Sequence, residues 1–177
     1  ATTEKALPGV VPPALTVADG DRRLAAAAEA WGDHEHGAVF CDHLARGGSP
    51  RAVWTAGPAV DWPRLVAHAA SVVESSGRGV VVCVPDGRDL DRVDAALTEV
   101  LGEGRHVALR ADAGPAARYR DFLAVSRGQR RVVVGTRAAI WAPVHDLGLV
   151  VVWDDGDDLH AEPRAPYPHV REVAALR

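Results

Sequence analysis

From residue 51 onward, short aliphatic runs alternate with longer segments of helical period, and this alternation restricts the chain to a small set of folds. The runs at 79–84 and 147–152 consist mainly of valine, leucine and glycine. A strand without polar alternation is covered on both faces, which is typical of parallel sheets packed between helices. The pattern therefore predicts an α/β domain with a mostly parallel sheet. The predicted strands lie at 51–55, 79–84, 106–109, 132–134 and 147–153.

The intervening segments predict helices with recognisable first residues. Asp61 occupies an N-cap position, and Pro63 lies in the first turn of a helix that ends near Gly77. Asp89 is expected to cap the next helix, and a further helix follows Gly114. The apolar side of that further helix is predicted to comprise Tyr119, Phe122, Leu123 and Val125.

The N-terminal part of the chain carries weaker patterns. Residues 1–20 contain several prolines among small and polar residues, which predicts a linker or arm. The alanine-rich stretch at 22–31 and the shorter stretch at 38–44 predict two helices. We therefore expect a single lobe over residues 21–177, preceded by the linker or arm.

Composition excludes several classes of protein. With 177 residues and 47% apolar positions the chain can build one domain core, and its aliphatic runs are far shorter than the roughly 20 residues of a membrane helix. The formal net charge of −4 argues against binding nucleic acid by overall charge alone. Cys41 and Cys83 form neither a disulfide framework nor a zinc motif, so we expect a reducing cytoplasm. The absence of methionine and of a signal segment indicates a piece of a longer protein.

The carboxyl ends of parallel strands are where ligands bind, and here these ends carry specific motifs. They are Val84-Pro85-Asp86, the run 132–139 with Gly-Thr-Arg-Ala-Ala, the strand 147–152, and His-Val-Arg-Glu at 169–172. From residue 37 to the end, these segments resemble the first motor lobe of the PriA family of replication-restart helicases, in superfamily 2, and its actinobacterial branch in particular. The resemblance implies a RecA-like (P-loop NTPase-like) lobe that takes ATP and Mg²⁺, and a zinc module that would lie outside this chain.

The first nucleotide motif of the family is altered in this sequence. Asp61, Trp62 and Pro63 stand where the family has Gly-Lys-Thr. A phosphate loop needs backbone N–H groups, a lysine for the phosphates and a hydroxyl for Mg²⁺. Asp61 adds negative charge, Trp62 supplies no cation, and Pro63 lacks both the N–H and the hydroxyl. The one lysine, Lys5, lies in the predicted linker.

The second nucleotide motif is altered as well. Trp153, Asp154 and Asp155 stand at the first three positions of the family's Asp-Glu-Glu-His, which organises Mg²⁺ and the attacking water. An indole replaces the first carboxylate. Because both the phosphate motif and the Mg²⁺ motif are altered, we expect no catalytic residue, no metal, no cofactor and no ATP hydrolysis in this fragment. Trp62 and Trp153 are expected to fill the former pocket with apolar surface.

Two further features have a functional and a structural interpretation. Thr136 and Arg137 could contact a DNA phosphate, as the resemblance implies, or form an ordinary strand-to-helix turn with Thr136 as N-cap. The acidic loop 154–158 could hold a hard cation or pair with Arg164 or Arg171. A third candidate is a local basic face that would touch DNA, comprising Arg118, Tyr119, Arg120, Arg127, Arg130 and Arg131. Arg118 and Arg120 cannot share one face of a helix, however, and arginines after a helix often interact with its C-terminal dipole instead.

The favoured hypothesis is a non-catalytic helicase-like lobe that supports recognition of stalled forks or D-loops and primosome assembly on DNA. Its partners would be forked or single-stranded DNA, through the full-length protein, and other primosome or replisome proteins, with no membrane partner. The alternative is an active ATP-dependent 3′ to 5′ helicase with a rearranged nucleotide site. A third hypothesis, a small-molecule enzyme using the acidic loop, lacks a nucleophile with its base.

Overall fold

The computed structural model describes residues 11–164 and 168–177, so Lys5 and the first half of the predicted linker lie outside the described residues. Six α-helices, four strands and two short 3₁₀ helices are present in the described parts. The α-helices are α1 Val17–Ala30, α2 Gly37–Ala45, α3 Trp62–Ser75, α4 Gly87–Leu101, α5 Pro115–Ser126 and α6 Val170–Ala175. The strands are β1 Gly79–Cys83, β2 His106–Leu109, β3 Val132–Gly135 and β4 Leu147–Val152, and the 3₁₀ helices are Arg137–Trp141 and Asp158–His160.

All four strands run parallel in the order β2-β3-β1-β4. The central strand β1 pairs with β3 through Val80 and Val132, and with β4 through Val82 and Val151. Each crossover between parallel strands contains a helix or a helical turn, as this geometry requires. The sheet confirms the predicted α/β class and is consistent with a single RecA-like lobe.

Side chains on alternate sides of β1 belong to two separate hydrophobic clusters. Val80 and Val82 contact the cluster formed with α3 and α4, whereas Val81 and Cys83 contact the cluster formed with α5, the first 3₁₀ helix and α6. All five β1 residues are buried because both faces of the strand are covered. The helices α1 and α2 pack outside α3 and add a further layer on that side.

The segment 51–55, which the sequence analysis predicts as a strand, is not a strand in the structure. Val53 is fully exposed, while Trp54 packs against the rings of Trp31, His34 and Trp153. The segment is therefore held by one aromatic side chain and not by a ladder of backbone hydrogen bonds. The prediction of a fifth strand was wrong because β-branched and aromatic residues also suit an extended loop.

The helix α1 begins at Val17, inside the segment predicted as a linker or arm. Thr16 and Asp19 form a capping box: the Thr16 hydroxyl accepts from the Asp19 N–H at 3.2 Å, and the Asp19 carboxylate accepts from the Thr16 N–H at 2.8 Å. This reciprocal pair satisfies two N–H groups that the helix leaves open. The hydrogen bond to Thr16 also lowers the pKa of Asp19.

Two other helix predictions need correction. The cap of α4 is Asp86, whose carboxylate accepts from the Asp89 N–H at 2.9 Å, so Asp89 is the third helical residue and not the cap. In α5 the predicted apolar side faces outward at Tyr119 and Phe122, and Val125 is the residue of that helix that is buried. Among the described residues, no helix has the length and apolar character needed to cross a membrane.

Candidate functional site

The first turn of α3 lies at the carboxyl edge of the sheet. A short turn after Ser75 leads directly into β1, so α3 runs antiparallel to the strands and its first residue, Trp62, is level with their carboxyl ends. Trp153 follows β4 at the same edge, and its backbone N–H donates to the Cys83 carbonyl at 2.9 Å. The structure therefore brings together the two altered motifs that lie far apart in the sequence.

The N–H groups from Trp62 to Leu65 are already used within the chain. The backbone N–H of Trp62 donates to the Val60 carbonyl at 2.9 Å, and Pro63 has no backbone N–H. The Arg64 N–H donates to the Asp61 carboxylate at 3.4 Å, and the Leu65 N–H to the Asp61 carbonyl at 3.2 Å. A helix N-terminus binds anions through such N–H groups. Here Asp61, the predicted N-cap, supplies the negative charge itself.

The indoles of Trp62 and Trp153 stack face to face beside this turn. Their ring centroids are 3.8 Å apart and the planes differ by 7°. Trp62 is 5% exposed, and the Arg92 guanidinium lies 5.0 Å from the centre of its ring. The volume between the strand ends and the helix start therefore contains apolar rings.

This stack continues into a larger aromatic cluster. Trp153 contacts Trp54 at 6.0 Å between centroids, and Trp54 contacts Trp31 at 4.9 Å. The Trp31 indole N–H donates to the Leu65 carbonyl at 3.0 Å, which ties the cluster to α3. Trp54, Trp62, Trp141 and Trp153 are predicted from the sequence as packing anchors; the prediction was wrong for Trp141, which is 64% exposed, and it missed the connection through Trp31. The composition held the signal, because five tryptophans in 177 residues is a high number.

The acidic loop after β4 is folded back on the strand end. Asp154 is exposed and adopts a left-handed backbone with φ of 50°, and Asp155 forms an ion pair of 2.8 Å with Arg171. The predicted pairing of this loop with Arg171 is thus confirmed. His160 is fully buried, and its Nε2 lies 2.8 Å from the Trp153 carbonyl.

Thr136 and Arg137 lie at the carboxyl end of β3. Thr136 is the N-cap residue of the first 3₁₀ helix, but its side chain forms no capping hydrogen bond. Arg137 donates to the Leu159 carbonyl at 3.3 Å and the Ala161 carbonyl at 3.0 Å, and it forms an ion pair of 2.8 Å with Glu162. Arg137 therefore connects this turn to the loop after β4, and a DNA contact by either residue stays a prediction.

Gly135 allows β2 and the first 3₁₀ helix to lie close to the end of β3. A Cβ at Gly135 would lie 2.9 Å from the Ala139 Cβ and 3.1 Å from the Leu109 carbonyl oxygen, so no larger residue fits between β2 and the 3₁₀ helix. The Gly-Thr-Arg element thus has a packing reason at its first position.

Neither the thiols nor the acidic residues form a reactive centre in the described part of the chain. Burial raises the pKa of the Cys83 thiol to about 12 and that of Cys41 to about 11, so both are thiols and not thiolates at neutral pH. No group of three or more histidine, cysteine or acidic side chains among the described residues could hold a metal ion. The site therefore contains rings, a capping carboxylate and an ion-paired loop.

A parallel sheet between helices, with a helix N-terminus at its carboxyl edge, is the architecture of a RecA-like lobe. The chain is 50% identical over 147 residues to the probable replication restart protein PriA of Mycobacterium leprae (strain TN), covering 83% of this chain and 23% of that protein. The corresponding protein of Mycobacterium tuberculosis (strain CDC 1551 / Oshkosh) is 50% identical over 147 residues, covering 83% and 22%. Replication restart protein PriA of Bacillus subtilis (strain 168) is 26% identical over 107 residues, covering 59% and 13%.

The chain belongs to the replication restart protein PriA family. It spans less than a quarter of the length of its mycobacterial relatives. No protein-family model matches the chain.

Proposed function

We propose that this chain is a helicase-like lobe that does not bind or hydrolyse ATP and that serves as a scaffold in replication restart. In the longer protein it would position DNA-binding regions at stalled forks or D-loops and support primosome assembly in the cytoplasm. Its relatives are named replication restart proteins. These names support a role in replication restart, whereas fork recognition and primosome assembly are part of the proposal.

The observation that carries the proposal is the first turn of α3. Its N–H groups are bonded to the Val60 carbonyl and to the carbonyl and carboxylate of Asp61, and Pro63 has none. A triphosphate would have to displace the Asp61 carboxylate and would meet its negative charge at close range. No lysine lies among the described residues to offset that repulsion.

The stacked rings of Trp62 and Trp153 add a steric argument. A nucleotide at this edge would need the stack to separate, which would expose apolar surface of two large rings. The second motif keeps two carboxylates: Asp154 is exposed in a left-handed backbone conformation, and Asp155 is paired with Arg171. These residues do not fit a triphosphate with its Mg²⁺.

The test is a thermal unfolding experiment with ATP and Mg²⁺ at millimolar concentration. A ligand at ten times its dissociation constant stabilises the folded state by about 1.4 kcal/mol, which would raise the Tm of a chain of this size by about 3 to 6 °C. We expect no shift, and no ATP hydrolysis when forked DNA is added.

The rival hypothesis of an active helicase makes the opposite prediction. A rise in Tm with ATP would contradict the proposal, as would a DNA-stimulated ATPase rate that disappears in Asp154→Ala. Asp158→Ala is the matched control, because Asp158 is another exposed carboxylate of the same loop.

A further inference from the structure

The helix α5 has an exposed aromatic face. Val125 is its one fully buried residue, whereas Tyr119 is 65% exposed and Phe122 is 50% exposed. Placing two aromatic rings in water is unfavourable, since each could bury a large apolar area elsewhere. This face therefore has the character of a contact surface.

The helical geometry places arginines on both sides of the two rings. At 3.6 residues per turn, successive residues are about 100° apart around the helix axis. Tyr119 and Phe122 are then about 60° apart, with Arg118 next to Phe122 on one side and Arg120 beyond Tyr119 on the other. Arg127 falls close to Arg120 around the axis. The exposed arc consists of an aromatic centre between two cationic margins.

The charges on this arc are available for a partner. In the described parts of the chain, the guanidinium groups of Arg118, Arg120 and Arg127 form no ion pair and donate no hydrogen bond. Residues 115–131 contain five arginines and one aspartate, although the whole chain carries −4. That aspartate, Asp121, is half-buried; burial raises its pKa, and the charge of the neighbouring Arg120 lowers it in part.

We propose that this face of α5 binds single-stranded nucleic acid. Unpaired bases stack on Tyr119 and Phe122, and the phosphates on either side meet Arg118 and the pair Arg120 and Arg127. A single strand fits better than a duplex, because the bases of a duplex already stack on each other and do not offer their faces to exposed rings. The inference deepens the proposed function, since it gives the scaffold lobe a DNA contact of its own.

The experiment is a fluorescence anisotropy titration of a labelled oligothymidylate with the 177-residue chain. Replacing Tyr119 or Phe122 by alanine is expected to weaken binding by about 5- to 140-fold, which corresponds to the loss of one stacked base. Phe122→Trp is expected to keep or strengthen binding, whereas Phe122→Leu is expected to weaken it. An apolar anchor for another protein would tolerate leucine, so this pair separates stacking from simple burial.

The arginines have their own readout. Arg118→Gln and Arg120→Gln are each expected to reduce the slope of log affinity against log salt by about 0.7. Arg51→Gln is the matched control, because Arg51 is exposed on the segment whose Trp54 contacts Trp153, the residue after β4, at the opposite edge of the sheet from β2. Val39→Ala is the control for loss of an exposed apolar side chain.

The proposal is overturned if the wild-type chain does not bind the oligonucleotide, if the α5 variants bind as well as wild type, or if Arg51→Gln has the same effect. Circular dichroism melting of every variant verifies folding. A negative anisotropy titration does not affect the thermal unfolding result with ATP, because the thermal unfolding experiment contains no DNA. An ATP-dependent shift together with intact α5 binding would reject the proposed function alone.

Discussion

Trp62 and Trp153 are contributed by a helix start and a strand end, and each buries one face of its ring against the other. Such offset or parallel ring pairs contribute roughly 0.5–1.5 kcal/mol beyond the area they bury. A pair of this kind stabilises the edge of the sheet where parallel α/β domains place ligands. Stability and nucleotide binding would therefore compete for the same volume.

Loss of either ring is expected to lower the free energy of unfolding, measured by chemical denaturation. Trp62→Ala should cost about 3–5 kcal/mol, because Trp62 is almost completely buried. In a double-mutant cycle with Trp153→Ala, the coupling energy should be about 0.5–1.5 kcal/mol.

Trp141→Ala is the matched control, because Trp141 is 64% exposed and should change stability by less than about 0.5 kcal/mol. A coupling energy near zero would mean that the two rings of the site do not stabilise each other in solution.

The two helices α3 and α4 begin at the carboxyl edge of the sheet, and their capping hydrogen bonds differ in length. Asp86 accepts from the Asp89 N–H at 2.9 Å in α4, whereas Asp61 accepts from the Arg64 N–H at 3.4 Å in α3. A hydrogen bond at 3.4 Å is at the weak end of the range. The Asp61 carboxylate therefore contributes less through that bond than Asp86 does.

Alanine at these two caps should separate their contributions. Asp86→Ala is expected to lower the free energy of unfolding by about 1 kcal/mol, and Asp61→Ala by about 0.5 kcal/mol. Urea denaturation of both variants measures the difference, and Asp86→Asn should retain most of the wild-type stability. An equal loss at both positions would contradict the interpretation based on hydrogen-bond length.

Sequence patterns predicted most elements but not their surroundings. The runs at 79–84, 106–109, 132–134 and 147–153 were found because uninterrupted aliphatic residues require cover on both faces. The segment 51–55 was predicted as a strand but is a loop, since Trp54 packs against rings that are distant in sequence. For α5, periodicity gave the helix but not which side faces the sheet.

The same division applies to the candidate site. The meeting of Asp61, Trp62 and Trp153 could be inferred, because strand ends and helix starts of a parallel sheet share one edge. The stacking geometry could not, and neither could the buried His160, because both depend on how the loop after β4 folds back. The partners of Arg137 also lie in that loop.

At the scale of the whole molecule, a buried ion network joins the outer helix layer to the inner one. Glu74 of α3 pairs with Arg23 of α1 and, at 3.1 Å, with Arg105 before β2. Arg105 also donates to the Pro13 carbonyl at 2.8 Å, which fixes the chain ahead of α1. Both arginine side chains and the glutamate are largely buried, so each charge depends on the others.

Glu74→Gln is expected to lower the free energy of unfolding by about 3–5 kcal/mol, because two arginines would lose their buried counter-charge. Denaturant unfolding monitored by circular dichroism measures the loss. Glu99→Gln is the control, since its ion pair with Arg64 is exposed and contributes less than about 1 kcal/mol. A small loss at Glu74 would mean that water reaches the network.

The parallel indoles also have an optical consequence. Transition dipoles this close couple, so the ring pair should change the ultraviolet circular dichroism spectrum relative to that of isolated indoles. The contribution of Trp62 and Trp153 disappears when their rings separate, and the pairs Trp31–Trp54 and Trp54–Trp153 supply the rest of the coupled signal. Opening of the strand edge can therefore be followed without a label, independently of the melting of the outer helices.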